Sequence, residues 1–216
     1  MITVAIDAST YVGTVALLRD GIVIAEGEAA MRGRDREALM PRVADVLREA
    51  EVSPRALDRV VCGSGPGSFT SLRIAASIAK GLAFGCGCTL ATVSSLALLL
   101  MGNGRPTAGR WLSALDALRG ELYVQAFAVD QRGDVTVIPA PAIVTQGELG
   151  ALAESLGAAI VGPGQRISRM PHARGVAMLG RILVPADLAS WQPDYGRKAE
   201  AQLRWEAAHH RPLPSS

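Results

Sequence analysis

Two aspartates stand where a predicted strand runs into a turn. Asp7 ends the first strand of the chain, and Asp116 ends the corresponding strand of its second half. Two carboxylates that face each other across a cleft position Mg²⁺ and water in two-lobed ATPases. Such enzymes keep a glycine beside the first carboxylate so that a phosphate can approach the backbone, but this chain has Ser9 and Thr10 there. A carboxylate at such a junction also caps its own turn, and both interpretations stay open.

A glycine-rich loop, Gly63-Ser64-Gly65-Pro66-Gly67-Ser68, separates a predicted strand from a predicted helix. It is not a dinucleotide fingerprint, because Ser68 replaces the third glycine and no acidic residue follows about 20 positions later. It is not a phosphate-binding Walker loop either, because no Gly-Lys-Ser/Thr follows. Amides at a helix N-terminus can still hold an anion, whereas the alternative is a tight turn in which Ser68 caps the helix. The candidates for nucleotide or anion contact are Asp7, Ser9, Thr10, Gly65, Gly67 and Asp116.

Histidine and cysteine are too sparse and too scattered to predict a metal centre. The three histidines and three cysteines are His172, His209, His210, Cys62, Cys86 and Cys88. They form no HExxH or CxxC pattern, so neither a zinc site nor a disulfide framework is expected. Few cysteines are typical of a reducing compartment, and Asp7 interrupts the N-terminal apolar run that a signal peptide would need. We expect a cytoplasmic protein whose own chain requires no cofactor.

The composition is that of a folded domain with an uneven distribution of charge. Hydrophobic residues make up 49% of the chain and charged residues 19%, which excludes intrinsic disorder and collagen. The net charge of +2 is too small to indicate nucleic-acid binding by itself. No acidic residue occurs from Arg59 to Leu115. The uncharged run between Lys80 and Arg105 is long enough to span a bilayer, but its glycines and hydroxyls favour a buried strand and a buried helix, with no membrane span.

The periodicity predicts two α/β halves, each opening with three strands. The first half has strands within residues 1–30, at 59–62 and at 89–93, and helices at 35–50, 69–84 and 96–101; the second has strands at 111–115, 122–129, 135–138 and 158–161, a helix at 148–156 and a helical stretch at 176–183. Pro41 is tolerated only in a first turn, so the regular part of the first helix should begin near Leu39. We expect two lobes on one duplicated plan, residues 1–102 and 103–216, with the last helix packing back on the first lobe.

The helix predicted at 69–84 carries two apolar stripes. Ser71, Ala75, Ala79 and Ala83 form the first stripe, and Ile74, Ile78 and Leu82 form the second. Small residues in a row allow close packing, and aliphatic residues supply apolar area. Because Arg73 and Lys80 are its only charges, we expect one stripe to pack on the sheet and the other to face a partner.

Six segments carry a distinctive pattern: Gly65–Ile74, Ala79–Ala83, Val93–Leu96, Ala5–Thr10, Ala114–Tyr123 and a Pro-x-Tyr-x-Arg segment at Pro193–Lys198. Together they resemble the bacterial TsaB (YeaZ) family. The chain departs from the family pattern at Ser71, where glycine is usual, and at Ala8, where threonine is usual. It departs again at Arg34-Asp35, where a His-Ser pair often begins the first helix.

The resemblance implies an actin/Hsp70-like (ASKHA, ribonuclease H-like) two-lobed α/β fold with a reduced second lobe. It also implies a non-catalytic subunit that binds and activates TsaD in forming N6-threonylcarbamoyladenosine at tRNA position 37. A TsaE-like ATPase and tRNA would join through the complex, with ATP or ADP at a shared interface, and the free chain could form a homodimer. The alternatives are a small ASKHA-type ATPase, an M22-type glycoprotease-like enzyme and a direct tRNA binder using the basic residues of 59–110.

A partner surface then follows from the two long helices of the first half. We predict that it is formed by Leu39, Met40, Val43, Leu47, Arg73, Ile74, Ser77 and Ile78.

Overall fold

A computed structural model describes residues 1–32 and 37–197, together with Trp205 and His209. Predictions that concern the Arg34-Asp35 pair, Lys198, His210 and the last helix lie outside the described residues.

The first sheet has six strands: β1 (Ile2–Asp7), β2 (Val12–Arg19), β3 (Ile22–Ala30), β4 (Arg59–Gly63), β5 (Thr89–Val93) and β11 (Val184–Pro185). Their order across the sheet is β11-β5-β4-β1-β2-β3. The first three form an antiparallel meander, and β4 and β5 run parallel to β1. The two-residue β11 comes from late in the chain and pairs antiparallel with the edge of β5.

The second sheet repeats the beginning of this plan with fewer strands. Its strands are β6 (Gly109–Asp116), β7 (Glu121–Val129), β8 (Val135–Ile138), β9 (Ile143–Thr145) and β10 (Ala158–Val161). β6 pairs antiparallel with β7 and parallel with β10, as β1 does with β2 and β4. This correspondence between sheets is what a duplicated plan requires. The division into lobes at residue 102 stays a prediction, and β11 shows that the first sheet takes a strand from beyond that point.

Within the described ranges 1–32 and 37–197, four α-helices cover the sheets: α1 (Leu39–Glu49), α2 (Phe69–Cys86), α3 (Ser95–Met101) and α4 (Leu149–Leu156). α1 and α2 pack on one face of the first sheet. α3 is buried at every residue and shares one core with apolar residues of both sheets. α4 packs on the other face of the second sheet.

The start of α1 and the interior of the uncharged run agree with the sequence. α1 begins at Leu39, with Pro41 in its first turn. β5 and α3 occupy the run between Lys80 and Arg105, and the Ser94 hydroxyl accepts from the Leu96 amide to cap α3. Within the described ranges, none of the helices has both the length and the apolarity needed to cross a bilayer.

The helical stretch predicted at 176–183 is present as 3₁₀ helix and not as α-helix, and it begins three residues earlier. The chain forms two short 3₁₀ turns there, Ala173–Met178 and Gly180–Ile182. Gly175 explains part of the departure, because a Cβ at that position would lie 2.9 Å from the Met101 Cβ. The segment therefore follows the surface of α3 closely instead of forming an independent helix.

Candidate functional site

The Asp7 carboxylate is buried at the carboxyl end of β1. Asp7 is 1% exposed to solvent. Oδ1 accepts a hydrogen bond from Ser95 Oγ at 2.5 Å, and Oδ2 accepts from Ser9 Oγ at 2.7 Å and from the Ser9 amide at 3.1 Å. Burial raises the pKa of Asp7, and the hydrogen bonds from Ser95 and Ser9 oppose that rise. The group is an internal acceptor held by three donors of its own chain.

Gly63 lets the carboxylate lie directly on the neighbouring strand. A Cβ at residue 63 would stand 1.9 Å from Asp7 Oδ1, so any side chain there would displace the aspartate. The adjacent Cys62 is also fully buried, and burial together with the nearby Asp7 raises the pKa of its thiol. A thiol in this environment is a core group and not a nucleophile.

The amides of the glycine-rich loop are largely used by the protein itself. The Ser64 amide donates to the Val93 carbonyl at 2.8 Å, and the Gly65 amide donates to Ser95 Oγ at 3.1 Å. The Ser68 amide donates to the Ser9 carbonyl at 2.8 Å, and a cis peptide joins Gly65 to Pro66, which has no amide hydrogen. These donors are therefore not available to a bound phosphate.

The loop also packs tightly against the first hairpin. A Cβ at Gly67 would lie 2.2 Å from the Ser9 carbonyl oxygen, so glycine is required for the close approach. Ser68 stands at the N-cap of α2 as predicted, but its hydroxyl lies 3.1 Å from Ser71 Oγ and makes no cap bond to an amide. The predicted capping bond is therefore wrong, although the position is right.

Residues 193–197, here called the strap, cross the outside of this loop. The Asp194 amide donates to the Ser64 carbonyl at 2.7 Å. Gly65 has a φ of +92°, and a Cβ there would lie 2.1 Å from the Asp194 carbonyl oxygen. The Tyr195 ring packs on Phe69, with 4.5 Å between the ring centroids. The strap thus covers the loop that follows β4 and the first residue of α2.

The strap also contacts the second sheet. The Tyr123 hydroxyl donates to the Tyr195 carbonyl at 3.1 Å, and Arg197 forms an ion pair with Glu121. Gly196 has a φ of +67°, and a Cβ there would stand 2.4 Å from the Tyr123 ring. Five residues near the end of the described chain therefore join the loop, the start of α2 and the first strands of the second sheet.

Asp116 has a different environment from Asp7. It is exposed, and its Oδ1 accepts from the Leu118 amide at 2.8 Å, so it caps its own turn. Thr10 acts likewise, because its Oγ1 accepts from the Val12 amide at 3.2 Å and donates to the Val12 carbonyl at 3.1 Å. The arrangement supports the turn-capping interpretation of both residues; nucleotide contact stays a prediction.

The described part of the chain brings no three His, Cys, Asp or Glu side chains together as metal ligands. His172 is buried, and its Nδ1 accepts from the Arg174 amide at 3.0 Å. Burial, with a smaller effect of Arg174, lowers the pKa of His172 to about 4. The imidazole is therefore neutral at physiological pH, and it is a buried hydrogen-bond acceptor for the Arg174 amide.

A groove of about 480 Å³ runs along α2 beside the start of α1. Its lining is mainly apolar, and it contains Glu37, Phe69, Thr70, Arg73, Ile74, Ser77 and Ile78. The structure thus brings four of the predicted partner residues, Arg73, Ile74, Ser77 and Ile78, into one concave surface. We call it the docking groove.

Three predicted partner residues are instead in the core. Leu39, Val43 and Leu47 pack against the first sheet and are almost completely buried. α1 is amphipathic, and the sheet covers its apolar face, so placing these residues on a partner surface was wrong. Met40 points the other way and is 39% exposed.

The two stripes of α2 separate as expected. Ala75, Ala79 and Ala83 are buried against the sheet. Ile74 and Ile78 are only partly covered. An acidic side chain at Ala79 would therefore test folding, whereas changes at Ser77 or Ile78 act on the docking groove.

Sequence reasoning did not assign a role to Phe69, Glu37 or Tyr195. Phe69 is the first residue of α2 and contacts both the docking groove and the strap. The Glu37 side chain accepts from the amides of Leu39 and Met40 at the start of α1. Phe69 and Tyr195 each had a signal, because they lie in the Gly65–Ile74 and Pro-x-Tyr-x-Arg segments that resemble the family.

Comparison with known proteins gives consistent matches. The family described as "TsaD: tRNA N6-adenosine threonylcarbamoyltransferase" matches residues 30–163. The tRNA threonylcarbamoyladenosine biosynthesis protein TsaB of Bacillus subtilis is 31% identical over 95% of this chain and 98% of its own length. The protein of the same name from Escherichia coli is 38% identical over 60% of this chain and 56% of its own length.

Solved structures match along most of the chain. A Pseudomonas aeruginosa protein described as similar to peptidase YEAZ superposes with a TM-score of 0.75 and 28% identity, covering 91% of this chain and 99% of that one. YeaZ from the same organism gives a TM-score of 0.73 and 26% identity over 90% of this chain and 99% of its own. The two-lobed ASKHA fold that the resemblance implied is confirmed, with a smaller second sheet.

Proposed function

The chain belongs to the TsaB family and to tRNA threonylcarbamoyladenosine biosynthesis, and from this premise we propose that it is a non-catalytic subunit of the complex that modifies tRNA position 37. In this proposal it binds and activates a TsaD-type subunit, which carries out the transfer. A TsaE-like ATPase and the tRNA join the same complex. The chain requires no cofactor of its own, and any ATP or ADP binds at a shared interface in the cytoplasm.

One observation carries the non-catalytic role: the groups that would do chemistry are already engaged within the chain. Asp7 accepts three hydrogen bonds from Ser9 and Ser95. The loop amides of Ser64, Gly65 and Ser68 donate to protein acceptors, and the strap packs on the same loop. A phosphate would have to displace these bonds before it could bind, which argues against the rival role as an ATPase.

The docking groove supports the choice of partner. Its helices lie within the residues that match the TsaD-type family, so partner and chain share the fold and can pair through corresponding helices. The groove lies mainly on α2, within the acid-free stretch from Arg59 to Leu115. Arg73 is its exposed cation. A largely apolar face with an acidic residue opposite Arg73 is the complement that this surface requires.

The test is complex formation and tRNA modification with purified subunits. Ser77→Arg and Ile78→Arg place a long cation in the docking groove; we expect each to weaken binding of the TsaD-type subunit at least tenfold and to reduce modification in parallel. Val137→Arg is the matched control, because Val137 is an exposed apolar residue of β8 on the other sheet.

The outcomes separate the candidate functions. Normal complex formation by both groove variants would remove the groove from the interface. Modification that proceeds without this chain would contradict the activating role, and ATP turnover by the chain alone would favour the ATPase. A self-association that the same two variants abolish, with no binding of the TsaD-type subunit, would make a second copy the occupant.

A further inference from the structure

The crevice at the carboxyl ends of β1 and β4 is the place where open α/β sheets bind their ligands. Here β1 ends at the buried Asp7, and β4 ends at Gly63, directly before the glycine-rich loop. The strap is joined to the loop that follows β4, through Ser64, Gly65 and Pro66. A segment of the chain therefore occupies the place of a ligand.

The strap is held as an extended peptide is held by a receptor. A hydrogen bond from the Asp194 amide to the Ser64 carbonyl aligns the strap with the loop. The Tyr195 ring then packs on Phe69, and Arg197 pairs with Glu121. Peptide recognition in general combines such main-chain bonds with pockets for selected side chains.

Phe69 connects the strap to the docking groove. Its ring lines the groove and is 40% exposed, while it also packs on Tyr195. The Arg73 guanidinium carbon lies 5.4 Å from the same ring centroid. The position of the Phe69 ring, and therefore the shape of one end of the docking groove, depends on the packing of Tyr195 against it.

We propose that the strap is an intramolecular ligand of this crevice and that, through Tyr195 and Phe69, it sets the affinity of the docking groove for its partner. Tyr195 is then a positioning residue for the interface. The part of this inference that concerns affinity rests on the proposed function; the occupancy of the crevice does not.

Tyr195→Ala tests the proposal, and Tyr195→Phe is its matched control. The bond from Tyr123 ends on the backbone carbonyl of residue 195, so neither variant removes that acceptor. Alanine loses the ring that packs on Phe69, whereas phenylalanine keeps it. In the free protein, hydrogen exchange should become at least tenfold faster at the Asp194 and Gly196 amides in the alanine variant and stay unchanged in the phenylalanine variant.

Affinity for the TsaD-type subunit is the second measurement. We expect the dissociation constant to rise about tenfold for Tyr195→Ala and to stay at the wild-type value for Tyr195→Phe. If the Asp194 and Gly196 amides of the alanine variant exchange at the wild-type rate, Tyr195 does not hold the strap in the crevice. If the alanine variant binds the TsaD-type subunit with wild-type affinity, the strap does not set the affinity of the docking groove. If even the wild-type chain does not bind, the proposed function fails, while the exchange result still decides the occupancy.

Folding is controlled within the same experiment. Amides of β1 must keep wild-type protection in each variant. If Tyr195→Ala does not fold, Arg197→Gln replaces it, since it removes the strap's side-chain contacts with the second sheet, the ion pair to Glu121 and the guanidinium over the Tyr123 ring. The same acceleration of exchange at Asp194 and Gly196 is expected, and its absence overturns the proposal.

Discussion

The first hairpins of the two sheets have the same strand pairing, but the aspartate at the end of the first strand is buried in one and exposed in the other. Asp7 ends β1 and Asp116 ends β6, and each strand pairs antiparallel with the next one and parallel with a later one. Asp7 is nevertheless buried beneath neighbouring groups, while Asp116 is exposed and caps a turn. Equivalent positions in a duplicated fold thus need not have equivalent chemistry.

The surroundings of each aspartate account for the difference. Beside Asp7 stand the Ser95 hydroxyl from the start of α3 and the glycine loop that leads into α2. After Asp116 the chain turns through Leu118, Arg119 and Gly120, all with positive φ. The groups covering a strand end decide whether its carboxylate can contact a ligand, and here the first sheet covers its own.

The largest effect is expected when the carboxylate of Asp7 is removed and compared with the removal of the Asp116 carboxylate. Asp7→Ala leaves three buried donors, on Ser9 and Ser95, without their acceptor, so we expect the free energy of unfolding to fall by about 3 kcal/mol. Asp116→Ala loses one exposed cap and should cost about 0.5 kcal/mol. Urea unfolding measures both values. Equal losses would mean that burial does not distinguish the two hairpins.

A smaller effect is expected in the dependence of stability on pH. Burial raises the pKa of Asp7 above its value in the unfolded chain, so the folded state binds the additional proton between these two values. The contribution of Asp7 to stability is therefore complete below the unfolded pKa and is lost as pH rises through the folded pKa.

Asp7→Asn should remove this part of the pH dependence, and Asp116→Asn should leave it as in the wild type. Unfolding followed by urea at a series of pH values from mildly acidic to neutral tests the difference. A wild-type slope in Asp7→Asn would show that other groups account for the dependence.

The smallest effect is expected in the second hairpin alone. Leu118 has a φ of +64° and its side chain is exposed, so the left-handed conformation is strained with little packing to offset it. Leu118→Gly should raise the free energy of unfolding by about 0.5 kcal/mol, because the relief of strain exceeds the added entropy of the unfolded chain. Leu118→Ala is the control, since alanine keeps the strain; an equal gain in thermal stability would point to the lost leucine and not to the backbone.

Local patterns were sufficient to predict much of the fold. Alternating apolar residues marked the strands, and Pro41 located the start of α1. These features depend on neighbours within a few residues. The same holds for the two stripes of α2, since their spacing is a property of the helix itself.

The errors concern contacts that local patterns do not encode. An apolar stripe has the same appearance whether a sheet or a partner covers it, so Leu39, Val43 and Leu47 were assigned to the wrong neighbour. The strap was out of reach for another reason, because Asp194 meets Ser64 across 130 positions of sequence. Part of the candidate site was predicted at Arg73, Ile74, Ser77 and Ile78, but its connection to Tyr195 required the structure.

Because β11 lies late in the sequence, the first sheet can add this strand only after the strands of the second sheet have been synthesised. A ribosome delivers residues from the N-terminus, so every strand of the second sheet leaves it before Val184 can pair with Thr92 and before Asp194 can reach Ser64. Until then β5 is an open strand edge, a form that invites pairing with other chains. The sheet that begins first therefore gains its last described strand only after residue 185 has been synthesised, and a chain stalled before residue 184 keeps this edge of β5 unpaired with β11.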